Sequence, residues 1–260
     1  MKEAYESVNW NIIFLLVGTL TVNAAEKVDL LKTDWSFKGL FGKFDRGSLQ
    51  RGYQVYTEVC ASCHSMKYVS YRNLFEPGGP EFTEEQAKAI AASFEVKDGP
   101  NSDGEMFIRP AKLSDKFVMP FENVKAAQAA NGGAYPPDMS VLAKARTGGV
   151  DYIYSLLLGY EDPPSGVTLD DGVYYNKYMY GNKIKMSQPL MDDAVEYSDG
   201  TKATEEQMAK DVTTFLMWAA EPHLESRHKM GFKAILYLII LTVLVYFSMK
   251  KIWSRIESEV

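Results

Sequence analysis

Five consecutive residues, Cys60-Ala61-Ser62-Cys63-His64, constrain this chain more than anything else in it. Two thiols three positions apart, followed at once by an imidazole, form the pattern by which a haem is attached covalently. Each thiol adds across one vinyl group of the porphyrin, and the histidine beneath the ring ligates the iron. Other uses of a C-x-x-C pair fit less well. A thioredoxin-type pair wants a βαβ setting, and the surrounding sequence does not supply one. A tetrahedral zinc site wants four ligands, yet Cys60 and Cys63 are the only cysteines and the other histidines are His223 and His228. A disulfide would leave His64 without a task. A chain committed to haem must enclose a large flat apolar group, and an aromatic content of 13% supplies the rings to do so. With both cysteines assigned, no cystine is left to staple the fold.

The segment entering the motif, SLQRGYQVYTEVC (residues 48–60), predicts a helix. Leu49, Gly52, Tyr53, Tyr56 and Val59/Cys60 recur at three- and four-residue spacing on one face. A glycine on that face lets another helix come close. Thr204-Glu205-Glu206-Gln207 reads as a capping box opening a second helix, whose apolar face is Met208, Val212, Phe215, Leu216 and Ala219. In small c-type cytochromes the helix leading into C-x-x-C-H crosses a C-terminal helix, and these two segments suit that pairing.

Residues 64–203 are more than a minimal haem wrap needs. Short helices are predicted at Thr83–Phe94, Phe121–Asn131, Pro137–Arg146 and Val150–Leu158, the last two stopped by Gly148-Gly149 and Gly159. Asp171-Gly172 and Asp199-Gly200 read as hairpin-type turns between short β-prone runs. The fold class expected is therefore mainly α: a c-type cytochrome domain with large insertions and a few short strands, plus one C-terminal transmembrane helix.

Both ends of the chain point to a membrane. Ala234–Met249 (AILYLIILTVLVYFSM) carries no charge and at about 1.5 Å per residue covers roughly 24 Å, which its flanks extend to a full span. Lys250, Lys251 and Arg255 follow it directly, placing the tail inside and the haem domain outside. Near the start, the apolar run Ile12–Val17 and the Val22-Asn23-Ala24 site read as a signal peptide cut before Ala25, although Glu3 and Glu6 offset Lys2. The expected division is a signal peptide at 1–24, a periplasmic haem domain at 25–229, an anchor at 230–249 and a cytoplasmic tail at 250–260. The chain would then be a single-pass protein of the inner membrane. A net charge of −6 argues against nucleic acid and in favour of cationic partners.

His64 leaves one axial position to fill. His223 and His228 lie in a charged stretch beside the anchor, a poor place from which to reach a haem face. Among the 12 methionines, Met186 stands in a non-periodic segment just before a proline, between the attachment site and the last helix of the domain. On composition alone Met179 and Met191 remain open as alternatives.

Longer stretches narrow this choice. GYQVYTEVCASCHSMKYVSYRNL, MFIRPAKLSDKF, AANGGAYPPDMSVLAKARTGGVDYIYSLLLGY, YSDGTKATEEQMAKDVTTFLMWAAEP and the closing HKMGFK with its apolar run resemble, in order, the cytochrome c1 family. Those proteins are the haem subunits of the quinol:cytochrome c oxidoreductase (bc1) complex, here of the bacterial type. The resemblance implies one covalent haem c on Cys60 and Cys63, with His64 as proximal ligand and Met186 as distal ligand. It implies that Arg146 and Tyr152 meet the propionates, and that Asn131, Pro136 and Pro137 line the pocket. The implied partners are cytochrome b, a Rieske iron–sulfur protein as donor and a soluble or membrane-tethered cytochrome c as acceptor, in a dimeric complex. On this reading the subunit passes single electrons and performs no bond chemistry alone. Some family members carry an additional disulfide that this sequence lacks, so the region between Arg146 and Met186 is expected to be held by packing alone. A haem subunit of a terminal oxidase, or a gas sensor with an open iron site, is the alternative.

Overall fold

Two helices cross at one glycine, and the rest of the haem domain is laid around that crossing. The computed structural model describes residues 28–257; the expected signal segment at 1–24 lies outside them. Helix α1 spans Arg46–Val55, with Asp45 as its N-cap accepting from the Ser48 N–H. Helix α5 spans Glu205–Ala220, capped by Thr204. A Cβ on Gly52 would fall on the Asp211 carbonyl and within 2.8 Å of the Phe215 Cβ, so only glycine permits this approach. The expected faces are the ones packed: Leu49, Tyr53 and Tyr56 on one side, and Met208, Val212, Phe215, Leu216 and Ala219 on the other, are all buried. Tyr53, Tyr56, Phe117 and Phe215 make tilted, stacked and edge contacts at 5.7–6.1 Å in the middle of this core.

Charge is enclosed at the same crossing. Asp211 is fully buried and takes the Arg51 guanidinium at 2.8 Å, which also reaches Asp199 at 2.7 Å. The capping box expected at Thr204 is only half formed. Thr204 accepts from the Gln207 N–H, but the Gln207 amide turns to Asp211 at 3.0 Å instead of returning to the cap. At Thr83 both halves of the box are present, opening α2 (Glu84–Ala92).

Helix α3 (Val124–Ala130) begins at the Asn123 cap, later than expected, and α4 (Gly149–Leu157) starts one residue early. The chain preceding α1 straps across α4: Trp35 Nε1 donates to Asp151 at 2.5 Å, and the Leu31 N–H donates to Ser155 Oγ at 2.8 Å. Two antiparallel two-stranded ribbons complete the fold. Strand β1 (Glu95–Asp98) pairs with β2 (Phe107–Pro110), and β3 (Tyr174–Tyr175) with β4 (Lys183–Ile184).

Two expectations are corrected. Pro137–Arg146 is a series of turns, not a helix: the Met139 N–H is tied to the distant Ser65 carbonyl, and the bonds that follow close over three residues, Leu142 to Met139 and Lys144 to Val141, as separate turns. Asp171-Gly172 and Asp199-Gly200 do form turns, but neither closes a hairpin. The β3–β4 ribbon is closed by residues 176–182, around the 3₁₀ turn at Tyr180–Asn182.

The last helix, α6, runs from Leu224 to Glu257. Its first turn belongs to the haem domain, with Leu224 and Glu225 both buried. Beyond it the apolar side chains from Ile235 to Phe247 stand exposed, on a helix long and apolar enough to cross a membrane.

Candidate haem centre

Helix α1 delivers the cysteine pair through a local widening. Residues Tyr56–Cys60 form a π turn in which the Ala61 N–H reaches back five residues to the Tyr56 carbonyl at 2.7 Å. The Cys63 and His64 N–H groups then both fall on the Cys60 carbonyl, at 3.1 and 2.9 Å. One oxygen thus gathers the whole motif into a single turn. Both cysteines are free thiols and half-buried. The atoms packed about Cys60, with a smaller contribution from Cys63, push its thiol up to about 12, keeping it neutral.

His64 is buried, and its Nδ1 lies 2.8 Å from the Pro137 carbonyl oxygen. A carbonyl only accepts, so Nδ1 carries the proton and Nε2 keeps its lone pair. Burial lowers the pKa of His64 and the bond to Pro137 opposes that shift, with burial prevailing. The Tyr56 hydroxyl donates to the His64 carbonyl at 3.2 Å, fixing the backbone beneath the ring. A neutral imidazole, oriented through one nitrogen and free at the other, is the form that binds a metal.

Pro137 is in turn held by its neighbour. The Asp138 carboxylate accepts from the Ser65 hydroxyl at 2.8 Å and from the N–H groups of Lys67 at 3.1 Å and Ser140 at 3.0 Å. Burial would raise this carboxyl, but the donors from Ser140, Lys67 and Ser65 outweigh it and hold it below the usual range. Sequence reading overlooked Asp138, whose partners include a hydroxyl and a backbone N–H some seventy residues away.

The remaining expected residues fall into three groups. Pro137 sits directly behind His64 through its carbonyl, and Pro136 precedes it in the chain. Arg146 is exposed and close enough to Tyr152 for its charge to oppose the burial that raises that phenol. The two therefore form a cationic and hydroxylic pair suited to carboxylates. Gly148, at φ +89°, makes their turn, and a Cβ there would meet Leu30 at 2.5 Å. Asn131 has a local task, its side-chain N–H closing α3 on the Ala127 carbonyl at 2.7 Å.

Of the candidate methionines, Met191 is 65% exposed, and the Met179 sulfur already accepts the Tyr152 hydroxyl at 3.5 Å. Met186 is half-buried, and its carbonyl receives the Tyr160 hydroxyl at 3.1 Å. Beside it, Lys185 Nζ reaches the Gly132 carbonyl at 3.0 Å, joining the Met186 segment to the loop after Asn131. The donor set fits a haem c: two free thiols, a buried imidazole with a free nitrogen, a half-buried thioether, and a guanidinium–phenol pair suited to carboxylates.

Residues 35–256 match the model of the Cytochrome C1 family. The chain belongs to the cytochrome c1 family. It is 51% identical over 239 residues to the cytochrome b/c1 of Bradyrhizobium diazoefficiens, an alignment covering 85% of this chain and 35% of that longer protein. With the mitochondrial haem protein cytochrome c1 2 of Arabidopsis thaliana it shares 51% identity over 224 residues, 86% of this chain and 72% of the relative. With the cytochrome c1 of Rhodospirillum rubrum it shares 47% over 246 residues, 88% and 89% of the two chains. Cytochrome c1 proteins bind one covalently attached haem c, and Cys60-x-x-Cys63-His64 fits that attachment.

Proposed function

We propose that this cytochrome c1 family member takes single electrons from a Rieske iron–sulfur protein and passes them to a soluble or tethered cytochrome c. It would do so beside cytochrome b in a quinol-oxidising complex that is dimeric. The observation that carries this reading is the state of His64: buried, protonated at Nδ1 by its bond to Pro137, and presenting Nε2 immediately after the cysteine pair. In this proposal Cys60 and Cys63 hold the haem, and His64 and Met186 are its axial ligands. Arg146 and Tyr152 would bind the propionates, while Asn131, Pro136 and Pro137 would line the pocket.

A haem held by these residues would supply a one-electron couple, and ligation by the Met186 thioether would raise its potential. The protein's own part is to keep the ligands fixed through both oxidation states, so that little rearranges when an electron moves. Cys60, Cys63 and His64 are fixed through the Cys60 carbonyl, and His64 also through Pro137. Membrane attachment would come from α6, with Lys250, Lys251 and Arg255 on the cytoplasmic side and the haem domain in the periplasm.

The acceptor is expected to dock on carboxylates. Among the acidic clusters in the sequence, Asp192, Glu205 and Glu206 are engaged: Asp192 accepts from the Glu205 N–H, Glu205 from Gln188, and Glu206 from Tyr154. Glu161, Asp162, Asp170 and Asp171 are exposed on the loop following Tyr160, whose hydroxyl touches the Met186 carbonyl. We take that loop as the docking surface because its neck carries Tyr160, which reaches the expected distal ligand.

The direct test is in native membranes supplied with quinol. Removing the Rieske protein should leave this haem oxidised while its covalent attachment is unchanged. Reduction at an undiminished rate in those membranes would overturn the proposal.

A further inference from the structure

Tyr160 has no place in the ligand set, yet its position is among the most carefully built in the domain. It follows Gly159, where α4 stops, and it bridges antiparallel to Asn176 across the neck of the loop between them. Asn176 is fully buried and satisfied on every side. Its side-chain N–H donates to the Leu156 carbonyl at 2.8 Å, and its side-chain oxygen accepts from the Tyr178 and Met179 N–H groups at 3.0 and 3.2 Å. Its own N–H reaches the Asn182 carbonyl at 3.0 Å, and the Lys177 N–H closes on the Gly159 carbonyl at 2.9 Å. Gly159 admits no side chain here, since a Cβ would meet Tyr178 at 2.5 Å and the Asn176 side-chain oxygen at 2.9 Å. The neck is therefore rigid, and the Tyr160 ring leaves it in a fixed direction. At its tip the hydroxyl donates to the Met186 carbonyl at 3.1 Å.

Met186 needs such a tether. It is only half-buried, between exposed Lys185 and Ser187 and just beyond the two-residue strand β4. Among the described residues, the Tyr160 hydroxyl is the one hydrogen-bond partner of its backbone. Neither cysteine is available to close this region with a disulfide if both hold haem. Packing alone does not hold it either, contrary to the expectation from sequence; a polar clamp does.

We propose that Tyr160 is a positioning residue for the distal ligand, its hydroxyl anchoring the Met186 carbonyl so that the thioether stays on the iron. The inference rests on the reading of Met186 as that ligand.

The test uses the full-length, haem-loaded protein and its displacement by added imidazole, which binds only when the thioether has left. Tyr160→Phe removes one oxygen and one hydrogen bond. It should raise the apparent affinity of the oxidised protein for imidazole about tenfold, the equilibrium worth of a typical buried hydrogen bond. The sulfur-to-iron charge-transfer band should be lost at correspondingly lower imidazole. Tyr154→Phe, which removes a hydroxyl bonded to Glu206 on the far side of α4, should leave imidazole affinity as it was. In a Met186→Leu background the Tyr160→Phe effect should vanish, because no thioether remains to be held. A Met186→Leu protein that loses the band, paired with a Tyr160→Phe protein of unaltered imidazole affinity, would overturn the role of Tyr160 and leave the ligand reading standing. A Met186→Leu protein that keeps its charge-transfer band would bring both down.

Discussion

The two faces of the expected haem are built in opposite ways. On the His64 side, helix, motif and pocket wall are bound into one another: the Cys60 carbonyl takes two N–H groups, Pro137 takes the imidazole, and Asp138 takes three donors. All of this leans on the α1–α5 crossing, whose side chains are almost wholly buried. On the Met186 side the chain runs through loops, a two-residue ribbon and half-exposed residues, steadied by single bonds from Tyr160 and Lys185. The difference teaches that attachment and tuning are separable here. The first depends on core packing, and the second on a few polar tethers weak enough to be adjusted one at a time.

Breaking the dense face should therefore be all-or-none. Replacing Gly52 by leucine forces α1 off the Asp211 backbone and should cost about 3 kcal/mol or more. The expected result is little haem-loaded protein in the membrane, read by haem stain on a denaturing gel; normal accumulation would show that the crossing is not the keystone. Breaking the loose face should be graded. Met186→Leu should retain the covalent stain but lower the midpoint potential by roughly two tenfold steps of about 59 mV each, measured by redox titration. An unchanged potential would move the distal ligand to another side chain.

Acid should also probe the crossing of α1 and α5. Asp199 is depressed to about 2 by the Thr201 N–H and by Arg51, and Asp138 and Glu221 are also held below their usual range. A carboxyl whose folded pKa is lowered adds stability that is complete above its unfolded value and lost as pH falls through the folded one. The stability gap between the parent and Asp199→Asn should thus be full at about pH 6 and close between about pH 4 and pH 2, as followed by denaturant melts. A gap independent of pH would assign the effect of Asp199 to shape rather than charge. The smallest effect expected is at the exposed loop. Neutralising Glu161 and Asp162 should flatten the salt dependence of oxidation by a cationic cytochrome c, by up to about tenfold in rate at low salt. The midpoint potential should hardly move, and an unaltered salt slope would place the docking surface elsewhere.

The same contrast decided what the sequence could reveal. The helix into Cys60, its partner α5 and the role of Gly52 follow from spacing, because an apolar stripe and a glycine on it act locally and repeat. Met139, Leu142 and Ala143 imitate such a stripe, and a helix was expected where turns exist. What sets this segment apart is the tie of the Met139 N–H to the distant Ser65 carbonyl, which no local pattern announces. Asp138, Asn176 and Tyr160 were illegible for the same reason: their partners are largely main-chain atoms, which have no signature in the side-chain alphabet. Gln207 could be read only halfway, as a cap residue whose amide had a buried carboxylate to choose instead.

Arg46, the first residue of α1, is gripped by Glu225 through two contacts at 2.7 and 3.0 Å, and the same carboxylate accepts the Phe44 N–H at 3.0 Å. The helix that carries the haem attachment and the helix read as the membrane anchor are thus bolted together at their starting ends, with no slack of chain between domain and post. If α6 spans a membrane as proposed, a haem held on α1 would keep a set height and tilt above the lipid. In that arrangement the travelling would fall to whatever delivers electrons to it or collects them.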